Sequence, residues 1–147
     1  MIGRLLRKSD FERTLAVPPR SRSAHFAVHY LHACPSTPKQ GRQQAGASEL
    51  CTGHAPNGTG SVDNLVSGHW LGHVLPKRHA PRAVTRNMLR RQVRAALQRQ
   101  QSQLRPGLWL VRLRQAFPAA QYPAADSAAL RRAAALELDQ LLARAAR

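Results

Sequence analysis

The chain has 147 residues, enough for one domain with its own core and short of what two would need. Lysine and arginine number 23 against 7 acids, for a formal net charge of +16, and all but three of the cations are arginine. That charge exceeds what solubility requires and points to a polyanionic partner, while so few acids leave little from which to build a carboxylate-based two-metal hydrolase.

Guanidinium groups suit bidentate phosphate contacts and stacking on bases. No apolar run approaches the roughly 20 residues that cross a bilayer, and the N-terminal "MIGRLLRKSDFERTL" lacks the apolar core and small-residue cleavage site of a signal peptide. A cytoplasmic protein without a membrane partner is expected. Cys34 and Cys51 are therefore expected as reduced thiols.

In chain order, Ser9, Asp10, Phe11 and Glu12 match a capping box, which predicts a short helix over about 9–16 stopped by Pro18 and Pro19. Phe11 and Leu15 then lie one turn apart on one face. "AHFAVHYL" (24–31) alternates as a strand does, with Phe26, Val28 and Tyr30 on one side and His25, Ala27, His29 and Leu31 on the other. Residues 33–67 are rich in Pro, Gly, Ser, Thr and Gln without either period and read as a disordered insertion. "HWLGHVL" (69–75) reads as a second strand. "GLWLVRL" (107–113) reads as a third, apolar on both faces and hence central.

Between these two strands a helix is predicted over about 84–103. Leu89, Val93, Ala96 and Leu97 gather on its core face, while Arg86, Asn87, Arg90, Arg91 and Arg94 fan across the neighbouring flank. An ordinary solvated face mixes both signs. Residues 77–114 contain no Asp or Glu, so these arginines repel one another and favour a nucleic-acid surface. Asn87 adds a donor and an acceptor together, as recognition of a base or ribose needs. A last helix follows a cap at Asp126 or Ser127, with an apolar stripe of Leu130, Ala134, Leu138, Leu141, Leu142 and Ala145. The succession describes one α/β domain spanning 1–147, with helices covering a small sheet.

The block "LGHVLPKRHAPRAVTRNMLRRQVRAAL" resembles the signature of the protein subunit of bacterial ribonuclease P, a strand ending in paired lysines and then a helix opening R-N-R and continuing K-R and R-E. Lys77 and Arg78 take the paired-cation positions, Arg82 follows, and Arg86, Asn87, Arg90, Arg91 and Arg94 stand at matching spacing. "RLLRKSDFERTL" is similar to the family's opening helix. The likeness fails over the insertion. Met88 replaces the second arginine of the triplet, Ala95 the glutamate that closes the block, and Leu15 a second aromatic.

The resemblance implies a two-layer α-β sandwich, a small mixed sheet in the order αβββαβα, and an uncommon left-handed βαβ crossover. It also implies that a large RNA is the catalyst and that the protein assists it in removing the 5′ leader from precursor tRNA, being inactive alone. The partners are then that RNA and precursor tRNA, with no protein partner. Mg²⁺ is held mainly by the RNA, and the protein has no cofactor or metal of its own. The arginine-rich helix with Lys77, Arg78 and Arg82 would bind the catalytic RNA, and a cleft lined by Phe11, Leu15, His25, Ala27 and His29 would take the single-stranded leader.

Two other functions are open to the residues themselves. A ribosomal or nucleoid-type coat protein explains the charge equally well but gives no reason for Asn87 among the cations. A stand-alone nuclease wants for acids. His32, Cys34, Cys51 and His54 have the donor count of a tetrahedral zinc site, although their spacing is that of no familiar finger.

Overall fold

The computed structural model describes residues 2–36 and 66–147. Its elements are β1 (Ile2–Arg4), α1 (Lys8–Ala16), β2 (Ser21–Arg22), β3 (Phe26–Leu31), β4 (His69–Val74), α2 (Ala83–Gln100), β5 (Gly107–Leu113) and α3 (Ala128–Ala146). The strands form one mixed sheet in the order β1-β4-β5-β3-β2. β4 is parallel to both β1 and β5, while β3 runs antiparallel to β5 and β2. Among the described residues the three helices and the sheet make the α/β fold that the sequence implies, and the βαβ unit is β4-α2-β5.

Alternation along the strands decides which helix covers which face. Phe26, Val28, Leu71, Trp109, Val111 and Leu113 join Met88, Leu89, Val93, Ala96 and Leu97 of α2 and the whole predicted stripe of α3 in one buried cluster. That is the two-layer core. Truncating a fully buried member such as Leu138 to alanine removes about 2–5 kcal/mol. The opposite face of β5 carries Leu108 and Leu110, both at 0% exposure, and α1 packs over β3 and β5 to cover it. β5 is thus central and apolar on both sides except at Arg112.

The return from α2 to β5 is held by three side-chain contacts to consecutive carbonyls. A His69 ring nitrogen meets Leu104 at 2.9 Å, the Trp109 indole donates to Arg105 at 2.9 Å, and the Tyr30 hydroxyl donates to Pro106 at 2.7 Å. Gly107 then opens β5 at φ 146°, where a Cβ would lie 2.7 Å from the Leu31 carbonyl.

One local expectation fails. The capping box is not made, because α1 begins at Lys8 after an extended Arg7 and places Ser9 inside the first turn. Asp10 and Glu12 serve other ends. The buried Asp10 carboxylate accepts from the Ser36 backbone at 3.0 Å and from Arg13, tying α1 to the chain beyond β3, and Glu12 pairs with Lys8. The last helix behaves as read, with Ser127 accepting from the Leu130 amide at 3.1 Å. Of the predicted insertion 33–67, residues 37–65 lie outside the described residues, and so do Cys51 and His54 of the zinc reading.

The close approach of α1 to β4 rests on Gly72, where an added Cβ would meet Phe11 Cε1 at 2.8 Å and Leu5 Cδ1 at 2.9 Å. Gly72→Ala should therefore destabilise the fold by about 1–3 kcal/mol in denaturant unfolding, and Phe11→Leu in the same chain should recover part of that loss. Strict additivity of the two changes would show that the ring and the glycine are not in contact.

Candidate nucleic-acid interface

Helix α2 presents its cations as its core face dictates. Burying Met88, Leu89, Val93, Ala96 and Leu97 leaves Asn87, Arg90 and Arg91 exposed and Arg86 and Arg94 half-exposed. Their hydrogen bonds go to neutral oxygens. Arg86 donates to the Ala80 and Pro81 carbonyls at 2.8 Å each, Arg90 to Asn87 Oδ1 at 2.9 Å, Arg91 to the Asn87 carbonyl at 3.5 Å, and Arg94 to the Ile2 carbonyl at 3.1 Å. These contacts orient the guanidinium groups, and none of the four forms an ion pair with an acid among the described residues.

The five acids among the described residues are each held elsewhere. Asp10 pairs with Arg13, Glu12 with Lys8, Asp126 with Arg131, Glu137 with His25 and Asp139 with Arg99. Lys77 and Arg78 lie exposed in the turn after β4, and exposed Arg82 stands at the start of α2. The first turn of α2 has neither an acid nor a side-chain cap, so the positive end of its dipole adds to the same surface. Met88 is 2% exposed. The departure from an arginine at that position therefore enlarges the core.

A cavity of about 380 Å³ opens between α2 and the edge of the sheet, lined by Arg4, Leu71, His73, Arg90, Arg91 and Arg94. Four guanidinium groups from two elements converge there. Arg4 and His73 escape a reading of the sequence because β1 is only three residues long and its pairing beside β4 is what brings Arg4 across. Burial holds His73 below the ordinary imidazole range, and the charges of Arg90 and Arg4 push it the same way.

The second expected surface, under α1, is assembled differently from its prediction. Phe11 is half-buried over Gly72, and Leu15 is half-buried on the same helix. His29 is 6% exposed, and one of its ring nitrogens meets the Val17 carbonyl at 2.9 Å, pinning the end of α1 to β3. His25 is not on this face. It precedes β3, where the alternation has not yet begun, and its ring turns toward α3, stacking on Phe117 at 4.1 Å and bonding Glu137 at 2.7 Å.

In its place the structure brings arginines. Arg22, Arg112 and Arg114 line a groove of about 300 Å³ with Pro19, Ala27 and His29. Arg112 had a signal in the sequence, as the one charged residue inside an otherwise apolar central strand. Trp70, half-buried and two residues from Gly72 on β4, adds an aromatic to this side of the sheet.

Burial alone would raise the Glu137 carboxyl, but hydrogen bonds from the Ser23 hydroxyl and the His25 amide and ring, with the histidine charge, outweigh it and hold the group low. His25 therefore fixes the β2–β3 corner against α3. Among the described residues no three His, Cys, Asp or Glu side chains gather as metal ligands, and no helix is long and apolar enough to cross a membrane.

With this geometry established, comparison with known proteins is specific. A family model described as Ribonuclease P matches residues 3–145. The chain is 40% identical over 79 residues to the ribonuclease P protein component of Paraburkholderia xenovorans, a match covering 52% of this chain and 55% of that protein. Against the component of Burkholderia mallei strain SAVP1 it is 40% identical over 77 residues, covering 52% of this chain and 57% of that one. The match spans about half the length of these curated relatives. A solved structure of the Staphylococcus aureus RNase P protein shares the fold with a TM-score of 0.58 at 18% identity, covering 97% of this chain and 94% of that one.

The depressed His73 sets a pH dependence. Because its folded value lies below the ordinary 6.5, the unfolded chain takes up the proton first as pH falls, so stability is present above about 6.5 and declines through the acid side of it. His73→Gln should flatten that decline between pH 7 and 5 in urea unfolding. An identical pH profile for the variant would remove His73 as its source.

Proposed function

The chain belongs to the ribonuclease P protein family, and from that membership we propose that it is the RNA-binding subunit of a ribonuclease P that removes the 5′ leader from precursor tRNA. The single observation that carries the reading is the set of guanidinium groups on the exposed flank of α2 and around the Arg4–Arg94 cavity, none of them paired with an acid among the described residues. An amide, Asn87, stands among them and accepts from Arg90. Arg86, Arg90, Arg91 and Arg94, with Lys77, Arg78 and Arg82, grip the catalytic RNA. The groove of Arg22, Arg112 and Arg114, continued on the same face by Phe11 and Leu15, takes the single-stranded leader by phosphate contact and stacking.

In this reading the bond-making chemistry belongs to the RNA and its Mg²⁺. The described carboxylates stand at separate places, each already held by a basic side chain of the protein, so metals are assigned to nucleic-acid oxygens. The protein's part is electrostatic: it screens phosphates so that the ribozyme and its substrate approach at low Mg²⁺. A cytoplasmic location follows from that role. The ribosomal or nucleoid-type reading draws support from charge alone, and the family match does not favour it.

Reconstitution tests this. Adding the protein to its cognate catalytic RNA at low Mg²⁺ should raise cleavage of precursor tRNA at the mature 5′ end, and an unchanged rate would end the proposal. Arg90→Ala should weaken binding to the catalytic RNA by about 1–2 kcal/mol in filter binding. Arg112→Ala should weaken binding of precursor tRNA more than of mature tRNA. Equal losses on both would take the leader out of the Arg112 groove.

A further inference from the structure

A further cavity lies among the described residues, away from the two surfaces above. It measures about 200 Å³ and is walled by Phe117, Tyr122, Leu89 and Leu130, with Arg82 and Thr85 at the α2 side. Leu89 and Leu130 are buried and form its floor. Phe117 and Tyr122 are half-buried and meet edge to face, 5.8 Å between centroids at 84°.

The aromatic wall is braced. Behind Phe117 lies the His25 ring, stacked at 4.1 Å and itself bonded to Glu137 of α3. The loop that carries the wall is fixed to α2 by two contacts, Thr85 Oγ1 donating to the Ala125 carbonyl at 2.7 Å and Arg82 donating to the Pro123 carbonyl at 3.3 Å. The rim is basic. Arg82 and His79 line it, no acid does, and exposed Lys77 and Arg78 precede it in the chain.

We propose that this cavity receives one unpaired nucleobase of the bound RNA, stacked against Tyr122 and Phe117, with the flanking phosphates on Arg82 and the Lys77–Arg78 turn. An apolar slot for a protein partner needs no basic rim. A pure phosphate site needs no aromatic wall. The two together are what holds a splayed nucleotide, and the slot opens beside the arginines of α2, so the inference rests on the reading of that helix as an RNA surface.

The probe is adenosine 5′-monophosphate titrated into the full chain, followed by NMR on the ring resonances of Phe117 and Tyr122, with ribose 5-phosphate and N-acetyl-leucine amide as comparisons. Saturable ring shifts with the nucleotide alone are expected. Rings that stay still, that respond equally to ribose 5-phosphate, or that respond only to the leucine amide would overturn the proposal.

Tyr122→Leu keeps the apolar floor and removes the stacking ring. It should lower affinity for the RNA that co-purifies with the protein about tenfold, with the salt dependence unchanged because no phosphate contact is lost. Wild-type affinity in that variant would also overturn it. Arg90→Ala separates the two ideas: if it leaves RNA binding intact, the RNA reading of α2 fails, while the nucleotide titration still decides the cavity.

Discussion

Helix α2 has to satisfy two demands with one set of residues. One side must bury Met88, Leu89, Val93, Ala96 and Leu97 against α3 and the sheet, and this fixes the rotation of the helix about its axis. The other side then has to carry Arg86, Asn87, Arg90, Arg91 and Arg94 outward at fixed spacing. Hydrophobic burial is strong enough to set the geometry, and the like charges it brings together have only carbonyl and amide oxygens to turn to within the described chain. The protein is built to be electrostatically incomplete without a polyanion.

The rest of the fold serves that incompleteness. α3 supplies the buried stripe that holds α2 from behind. β1, through its parallel pairing with β4, delivers Arg4 to the arginines of the helix and its Ile2 carbonyl to Arg94. On the other face, α1 closes over β5 and leaves a margin where Arg22, Arg112 and Arg114 gather. The acids are spent on the protein's own joints: Glu137 binds the β2–β3 corner to α3, and Asp10 binds α1 to Ser36.

The long elements were legible in the sequence because their periodicity repeats enough times to be unambiguous. The α3 stripe from Leu130 to Ala145 and the extent of β5 came through whole, and the α2 core face came through except for Met88. β1 and β2, three and two residues long, have no period to read, and they exist through pairing with distant strands. Ser9 shows how a local motif yields to tertiary context, since α1 starts at Lys8 and Asp10 of the would-be box bonds Ser36 instead. His25 shows the limit of alternation: one residue outside the strand, its ring is free to turn to the opposite face. Met88 stands at an arginine position of the motif, yet lies beside Leu89 in the core. Arg4 and His73 meet Arg90 only after folding, so neither carried a sequence signal.

The central claim is that the α2 arginines neutralise RNA phosphates, and the salt dependence of binding to the catalytic RNA measures this directly. If Arg86, Arg90, Arg91 and Arg94 each neutralise one phosphate, the slope of log affinity against log salt should be about −3 or steeper, and should become shallower by about 3 when all four are glutamine. A slope near zero, or one untouched by the fourfold substitution, would contradict the account.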